Sequence, residues 1–284
     1  QEFAFKDFTK LISAEVSLLN STTELSKGAF ENCTSLISFS TGTSGWGFSS
    51  IGARAFANTK IKYFDFSNVT TVGEDAFLNV ELISAQFGNN NFASTIGNIL
   101  KQESIDTVIL NYKTEVTNTI PSNAYNGIIS KAKNLIVNLS YNVIIENSAF
   151  ASCTNLENVE INWGGGDPYT FTMGESIFNN CTNLKKVVLP NSIKTIPNYM
   201  FYGCYNLVDL TIPSSVTTIG RGAFNQCFSL VSINIPTGVT EIGDRAFEMC
   251  SKLGAITLPS GLTSLGTHAF SLCTSLITLS LPSK

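Results

Sequence analysis

Cysteine and histidine are the residues here that could coordinate a metal, attack a carbonyl or exchange disulfides, and the sequence carries seven of the first and one of the second. Thiolate chemistry needs partners at defined spacing, as in paired C-x-x-C metal sites. No C-x-x-C occurs. Instead Cys181, Cys204, Cys227, Cys250 and Cys273 stand 23 residues apart, and Cys33 and Cys153 hold the same slot, three after a Phe. In other copies that slot holds Thr59 and Val80, neither a redox residue nor a soft-metal ligand. A small, buried, apolar role covers the exchange, and the odd count forbids complete intramolecular pairing. His268 sits in a variable position that carries Arg54, Gly222 and Arg245 elsewhere, so it reads as a solvated side chain. The Gly-rich stretch from Trp163 to Gly166 lacks the Lys and Ser/Thr of a phosphate loop. Glu241 and Asp244 fall on the repeat exterior, where nothing selects them as an acid/base pair. No catalytic set, cofactor motif or metal site is expected, and the chain reads as a non-enzyme. N-x-Ser/Thr sequons begin at Asn20, Asn32, Asn68, Asn138 and Asn180. At Asn32 and Asn180 the third residue follows the buried Cys, so the repeat pattern itself explains the motif.

The spacing of these residues belongs to a wider period. Pro190, Pro213, Pro236, Pro259 and Pro282 keep the 23-residue step, as do Phe178, Phe201, Phe224, Phe247 and Phe270. Fixed self-similarity at this length means stacked supersecondary units. Within one unit, Leu230, Ile233 and Ile235 place two apolar side chains on one face of a short strand. Pro236 ends that strand, Val239 and Ile242 form an extended return, and Gly243 permits a tight turn. Ala246 to Cys250 then reads as one helical or 3₁₀ turn, with Phe247 and Cys250 on the same side. About seven apolar side chains per coil contribute ~1.5–3 kcal/mol each when buried. Ordering the coil costs at least ~1 kcal/mol per residue for the backbone alone, so coils must stack to fold.

The pattern I-P-x-x-V-T-x-I-G-x-x-A-F-x-x-C-x-x-L-x-x-I resembles BspA-like leucine-rich repeats, strongly from Phe178 onward, clearly at Phe30–Phe87 and Phe150–Ile161, and weakly between Asn89 and Tyr141. The resemblance implies an α/β fold: a right-handed leucine-rich-repeat solenoid with a parallel β-sheet on its concave face and helical or 3₁₀ turns on the convex side. It further implies secretion or cell-surface display and adhesion to a host or extracellular-matrix protein, and it carries no catalytic residues.

Phe5, Phe8, Leu11 and Ile12 recur at helical spacing, so residues 1–20 are predicted to form a helical N-terminal cap, with Val16 and Leu18 entering a strand. About eleven coils follow over 21–284, and with no linker or charge run the chain is expected to be one domain, 1–284. A net charge of −4 and 13% charged residues offer no basic surface for nucleic acid or anionic lipid. No apolar run of 18 residues stands in the sequence, so direct membrane insertion is not expected, and the chain reads as a monomer. A secreted form is expected to have been trimmed before Gln1, and the stop at Pro282, just after a strand, reads as a cut or as an end awaiting a neighbour.

Departures from the period are the candidates for binding. Residues 42–47 and 163–169 lengthen two turns and contain Trp46 and Trp163; residues 126–134 add about one helical turn. Strand positions that face away from the core form polar rows. These rows are plain Ser/Thr toward the C-terminus and varied earlier, by Tyr63, Asp65, Gln86, Tyr112 and Glu160. Those five and the two Trp residues form the predicted ligand-binding set. A structural spacer within a larger surface protein is the second reading.

Overall fold

A computed structural model of the chain describes residues 2–16, 23–41, 48–88, 105–112, 118–123, 126–140, 142–164 and 171–280. It divides into two compact units, one comprising Gln1–Asn111 and Tyr125–Ala132, the other Tyr112–Ala124 and Lys133–Lys284. Each unit is a stack of coils in which every strand pairs in parallel with its counterpart one coil away.

In the first unit Ser13–Glu15 pairs with Ser38–Ser40, and Tyr63–Asp65 with Ser84–Phe87, which in turn pairs with Ile105–Tyr112. The return strands Glu24–Leu25, Ser50–Ile51 and Thr71–Val72 make a second ladder. The second unit repeats this scheme. Asn158–Trp163, Lys186–Val188 and Asp209–Leu210 pair in order, and Thr195–Ile196, Thr218–Ile219, Glu241–Ile242 and Ser264–Leu265 form the return ladder. Alternation along each strand buries one row, such as Phe64, Val187 and Ile256, and exposes the next.

The predicted helical or 3₁₀ turns are not there. Among the described residues one four-residue α-helix, Asn126–Ile129, lies in the stretch predicted to add a turn. Elsewhere the Phe–Cys segment is a ribbon of turns. Around each described Phe slot, the residues two before and two after have positive φ: Gly28 and Asn32 around Phe30, Arg245 and Met249 around Phe247. Left-handed residues at that interval end any right-handed helix. The ribbon bonds to its neighbour instead. Gly222, Phe224 and Gln226 donate their N–H groups to Asp244, Ala246 and Glu248 of the next coil at 2.7–2.9 Å. Between them Ala223, Asn225 and Cys227 close local turns onto Gly220, Gly222 and Phe224. A non-Gly left-handed residue costs about 1–2 kcal/mol. Three inter-coil bonds at about 0.5–1.5 kcal/mol each offset two such residues. This is a third ladder, and it replaces helix.

The N-terminal segment obeys the same rule, which corrects its reading as a helix. Phe3 and Asp7 have positive φ on either side of Phe5, and Phe3, Phe5 and Asp7 donate to Lys27, Ala29 and Glu31. Phe5 therefore occupies a Phe slot, its ring stacked 5.1 Å from Phe30. That stack continues through Phe56 and Phe77, and in the second unit from Phe150 through Phe178, Phe201, Phe224 and Phe247 to Phe270, with centroids 5.0–5.9 Å apart.

Candidate functional site

The thiols belong to the scaffold. Each of Cys181, Cys204, Cys227, Cys250 and Cys273 donates its S–H to the carbonyl of the Phe one coil earlier at 3.1–3.3 Å, and Cys33 does so to Phe5 at 2.9 Å. Thr59, in the same slot, reaches the Phe56 carbonyl of its own coil at 2.9 Å. The slot thus selects a small buried donor, a more specific role than the apolar one expected, and Val80 alone among these fills it without one. All seven cysteines are free thiols. Burial pushes the Cys204, Cys227 and Cys250 thiols well above their ordinary range. The thiol bond with Cys181, then burial, raises Cys153. A buried thiol held protonated is neither nucleophile nor ligand. Among the described residues no three His, Cys, Asp or Glu side chains gather as a metal site. His268 is exposed.

Polar side chains on the ribbon are also used structurally. The Asn79, Asn58 and Asn32 amides each donate to the next side chain in the row, ending on Asp7, every bond 2.7 Å. The sequon at Asn32 is therefore spent on the stack. Glu31, buried in the same region, accepts from Arg54 at 2.7 Å and pairs with Lys6 at 3.1 Å. Burial alone would raise its pKa, but these two cations outweigh it and hold the carboxyl below its usual range.

What remains is the outward face of the strands, and in the first unit three predicted residues meet there. Tyr63 and Asp65 point outward from one strand, and Gln86 stands in register with Asp65 on the next. The Tyr63 hydroxyl donates to Gln86 Oε1 at 3.1 Å. Gln86 Nε2 donates to Asp65 Oδ2 at 3.0 Å and to Ser67 Oγ at 3.2 Å. Asp65 Oδ1 accepts the Ser67 N–H at 2.8 Å, an Asx turn that fixes the carboxylate. Desolvation, then the Asp65 charge, pushes the Tyr63 phenol up to about 12, so it stays a neutral donor. The result is a rigid polar plate with an aromatic ring 42% exposed.

The other predicted residues are placed differently. Tyr112 is fully buried, which removes it from the binding set. It shares parity with Val108 and Leu110 on an eight-residue strand, and Asn111 takes the outward place. Glu160 is exposed in the second unit, where it accepts from Asn162 at 2.9 Å, itself bonded to Asn138 at 3.0 Å. Trp163 ends that strand half-buried. Trp46 lies outside the described residues. One feature missed from sequence is Thr41. It occupies the second inward strand slot, filled by Phe66, Phe87 and Ile235 in other coils, and a break in that apolar column was the available signal.

A family model described as a BspA type leucine rich repeat region matches residues 1–130, 118–165 and 171–284, with six copies. Among solved structures the chain is similar to a leucine-rich repeat protein from Bacteroides ovatus, at 24% identity over 98% of this chain and 74% of that one, TM-score 0.45. It is similar to the T. pallidum leucine rich repeat protein at 27% identity over 53% of this chain and 76% of that one, TM-score 0.45. A leucine rich cell surface protein from Faecalibacterium prausnitzii is 21% identical over 100% of this chain and 69% of that one, TM-score 0.35. No curated protein matches the sequence.

Proposed function

The chain belongs to the BspA-type leucine-rich-repeat family, and on that premise we propose that it is a non-enzymatic, secreted or surface-displayed module that binds a host or extracellular-matrix protein through the outward strand face of its first unit. The observation that carries this reading is the Tyr63–Gln86–Asp65–Ser67 network. A half-exposed Tyr held by side-chain bonds loses little conformational freedom on binding, which is what makes such residues interface anchors. Glu160 and Trp163 are a secondary candidate within the second unit. No helix among the described residues is long and apolar enough to cross a membrane.

A structural spacer is the second reading, supported by the outward Thr211, Asn234, Thr257 and Ser280, all exposed and small. Biolayer interferometry of the immobilised chain against purified fibronectin, laminin and collagen separates the two. Binding that falls at least about fivefold in Tyr63→Ala and Gln86→Ala, and is unchanged in Thr211→Ala and Thr257→Ala, supports the module. Sensitivity only at the second pair moves the site, and no binding to any of the three favours the spacer.

A further inference from the structure

Thr41 leaves a hole. The inward column at its position is apolar and large in neighbouring coils, with Phe66 and Phe87 fully buried, whereas Thr41 ends short and is half-exposed. The space it vacates is a cleft of about 50 Å³ lined by Phe39, Thr41, Phe48, Phe64, Asp65 and Asn68. One water needs ~10–15 Å³ by the same measure, so the cleft takes a group of three or four heavy atoms. Its walls are aromatic. Phe39 stacks between Phe48 at 6.2 Å and Phe64 at 5.8 Å, and Phe39 is itself half-exposed although it points inward.

The lip is acidic. Asp65 is exposed, and each of its oxygens accepts one bond, from Ser67 or Gln86, and so keeps acceptor capacity. The outward row at this level holds Glu15 in register with Ser40, and Asp65 in register with Gln86. It contains two carboxylates and no cation. Lys62 belongs to the entry of the strand, where its ammonium reaches the Glu81 carbonyl at 3.4 Å. Apolar ring surface below and a fixed carboxylate above are complementary to a short alkyl stem that ends in a cation.

We propose that this cleft receives the ammonium tip of a lysine side chain from a protein ligand lying across the outward strand face, with Phe39 and Phe64 contacting the last methylenes and Asp65 pairing the charge. The proposal rests on the protein-binding reading and specifies the ligand's chemistry.

The test uses ethylammonium chloride on the full chain, followed by NMR shifts of the Asn68 side-chain amide and the Val69 backbone amide, with sodium chloride at equal ionic strength as blank. Saturable shifts are expected with ethylammonium and not with ethanol at the same concentration. Asp65→Asn should weaken the response at least about fivefold. Thr41→Ile, which fills the cleft and should leave the fold intact or firmer, should abolish it. Equal response to ethanol, a retained response in Thr41→Ile, or no saturable shift with ethylammonium overturns the cation site. Because the probe is small and needs no protein ligand, the matrix-binding reading can fail while this site stands, and the reverse.

Discussion

Phe224→Ala examines the stack itself. The ring is fully buried and lies 5.4 Å from Phe201 and 5.0 Å from Phe247. Large-to-small replacement of a buried Phe costs about 3–5 kcal/mol. The upper half of that range applies here, because both faces lose a stacked partner worth about 0.5–1.5 kcal/mol beyond area. Phe270→Ala supplies the internal contrast: that ring is half-buried and, among the described residues, has one neighbouring ring, Phe247 at 5.4 Å, so its loss should be about half as large. Urea denaturation followed by far-UV circular dichroism gives both values. Native-state hydrogen exchange then locates the damage, since in a quasi-one-dimensional stack each coil touches only its neighbours. Protection should fall first at Phe201, Phe224 and Phe247, whose N–H groups bond across coils. A loss under about 1 kcal/mol at Phe224, or equal losses at the two positions, would show that the rings are not what couples the coils.

Three further outcomes follow from the buried groups. Thiols of Cys33, Cys204, Cys227, Cys250 and Cys273 have pKa values raised above the ordinary 9.0. Their stabilising contribution is therefore complete below about pH 9 and is lost as pH rises above it, at about 1.4 kcal/mol per pH unit for each thiol that ionises only when unfolded. Thermal melts between pH 8 and 10.5 should show the decline, and Cys→Ser at 204, 227 and 250 should flatten it; an unchanged slope refutes the assignment. Glu31→Gln should cost about 1–2 kcal/mol by urea titration, less than a wholly buried pair because Arg54 and Lys6 are each 36% exposed. Glu31 has a lowered pKa, so its contribution is present above the ordinary 4.5 and fades as pH falls through the folded value; the variant should lose part of that acid sensitivity. Gly222→Ala sets a Cβ 2.6 Å from the Tyr199 ring at φ +57, and a loss of about 1–2 kcal/mol in the same titration is expected.

The period was legible because side-chain spacing reports which residues share a column, and Phe224, Cys227 and Ile233 do share columns with their counterparts. The backbone between them was not. Phe247 and Cys250 fall on one side of a helical turn and equally on one side of the turn ribbon, so apolar spacing cannot separate the two. The discriminating signal is left-handed backbone, and it is carried by Arg54, Tyr199, Arg245 and Met249, residues that ordinarily avoid it. Gly28, Gly203, Gly222, the asparagines at 32, 58, 79 and 180, and Asp7, Asp75 and His268 hint at it in composition. The N-terminal helix failed for the same reason, since Phe3 gave no warning and Asp7 only a weak one. Tyr63, Asp65 and Gln86 were found by strand parity, which holds where strands are short and regular. Tyr112 was chosen against that parity: with Thr107 and Ile109 outward, residue 112 falls inward with Val108 and Leu110, and its polar type alone suggested exposure.

This backbone also decides where variation is tolerated. A helix would satisfy its own N–H groups and leave its outer surface free to change. The ribbon instead lends alternate N–H groups to the next coil, and its side chains follow: the Asn79–Asn58–Asn32–Asp7 row and the Glu31 cluster tie coils together. A substitution there disturbs two coils at once. The outward strand positions carry less of that duty, because the strand ladder is closed by backbone and the side-chain bonds added to it, as between Tyr63, Asp65 and Gln86, are solvent-exposed. Tyr63, Asp65 and Gln86 can therefore be exchanged at little cost to the stack, and Thr41 differs in kind. It gives up core volume, and a cavity of this origin typically costs of order 1 kcal/mol per missing methyl-sized group. If Thr41→Ile raises the urea midpoint while closing the cleft, the wild-type residue has been retained against stability, as expected of a recognition site. If it lowers the midpoint, Thr41 is the best-packed residue for its place and the cleft is only an accident of fit.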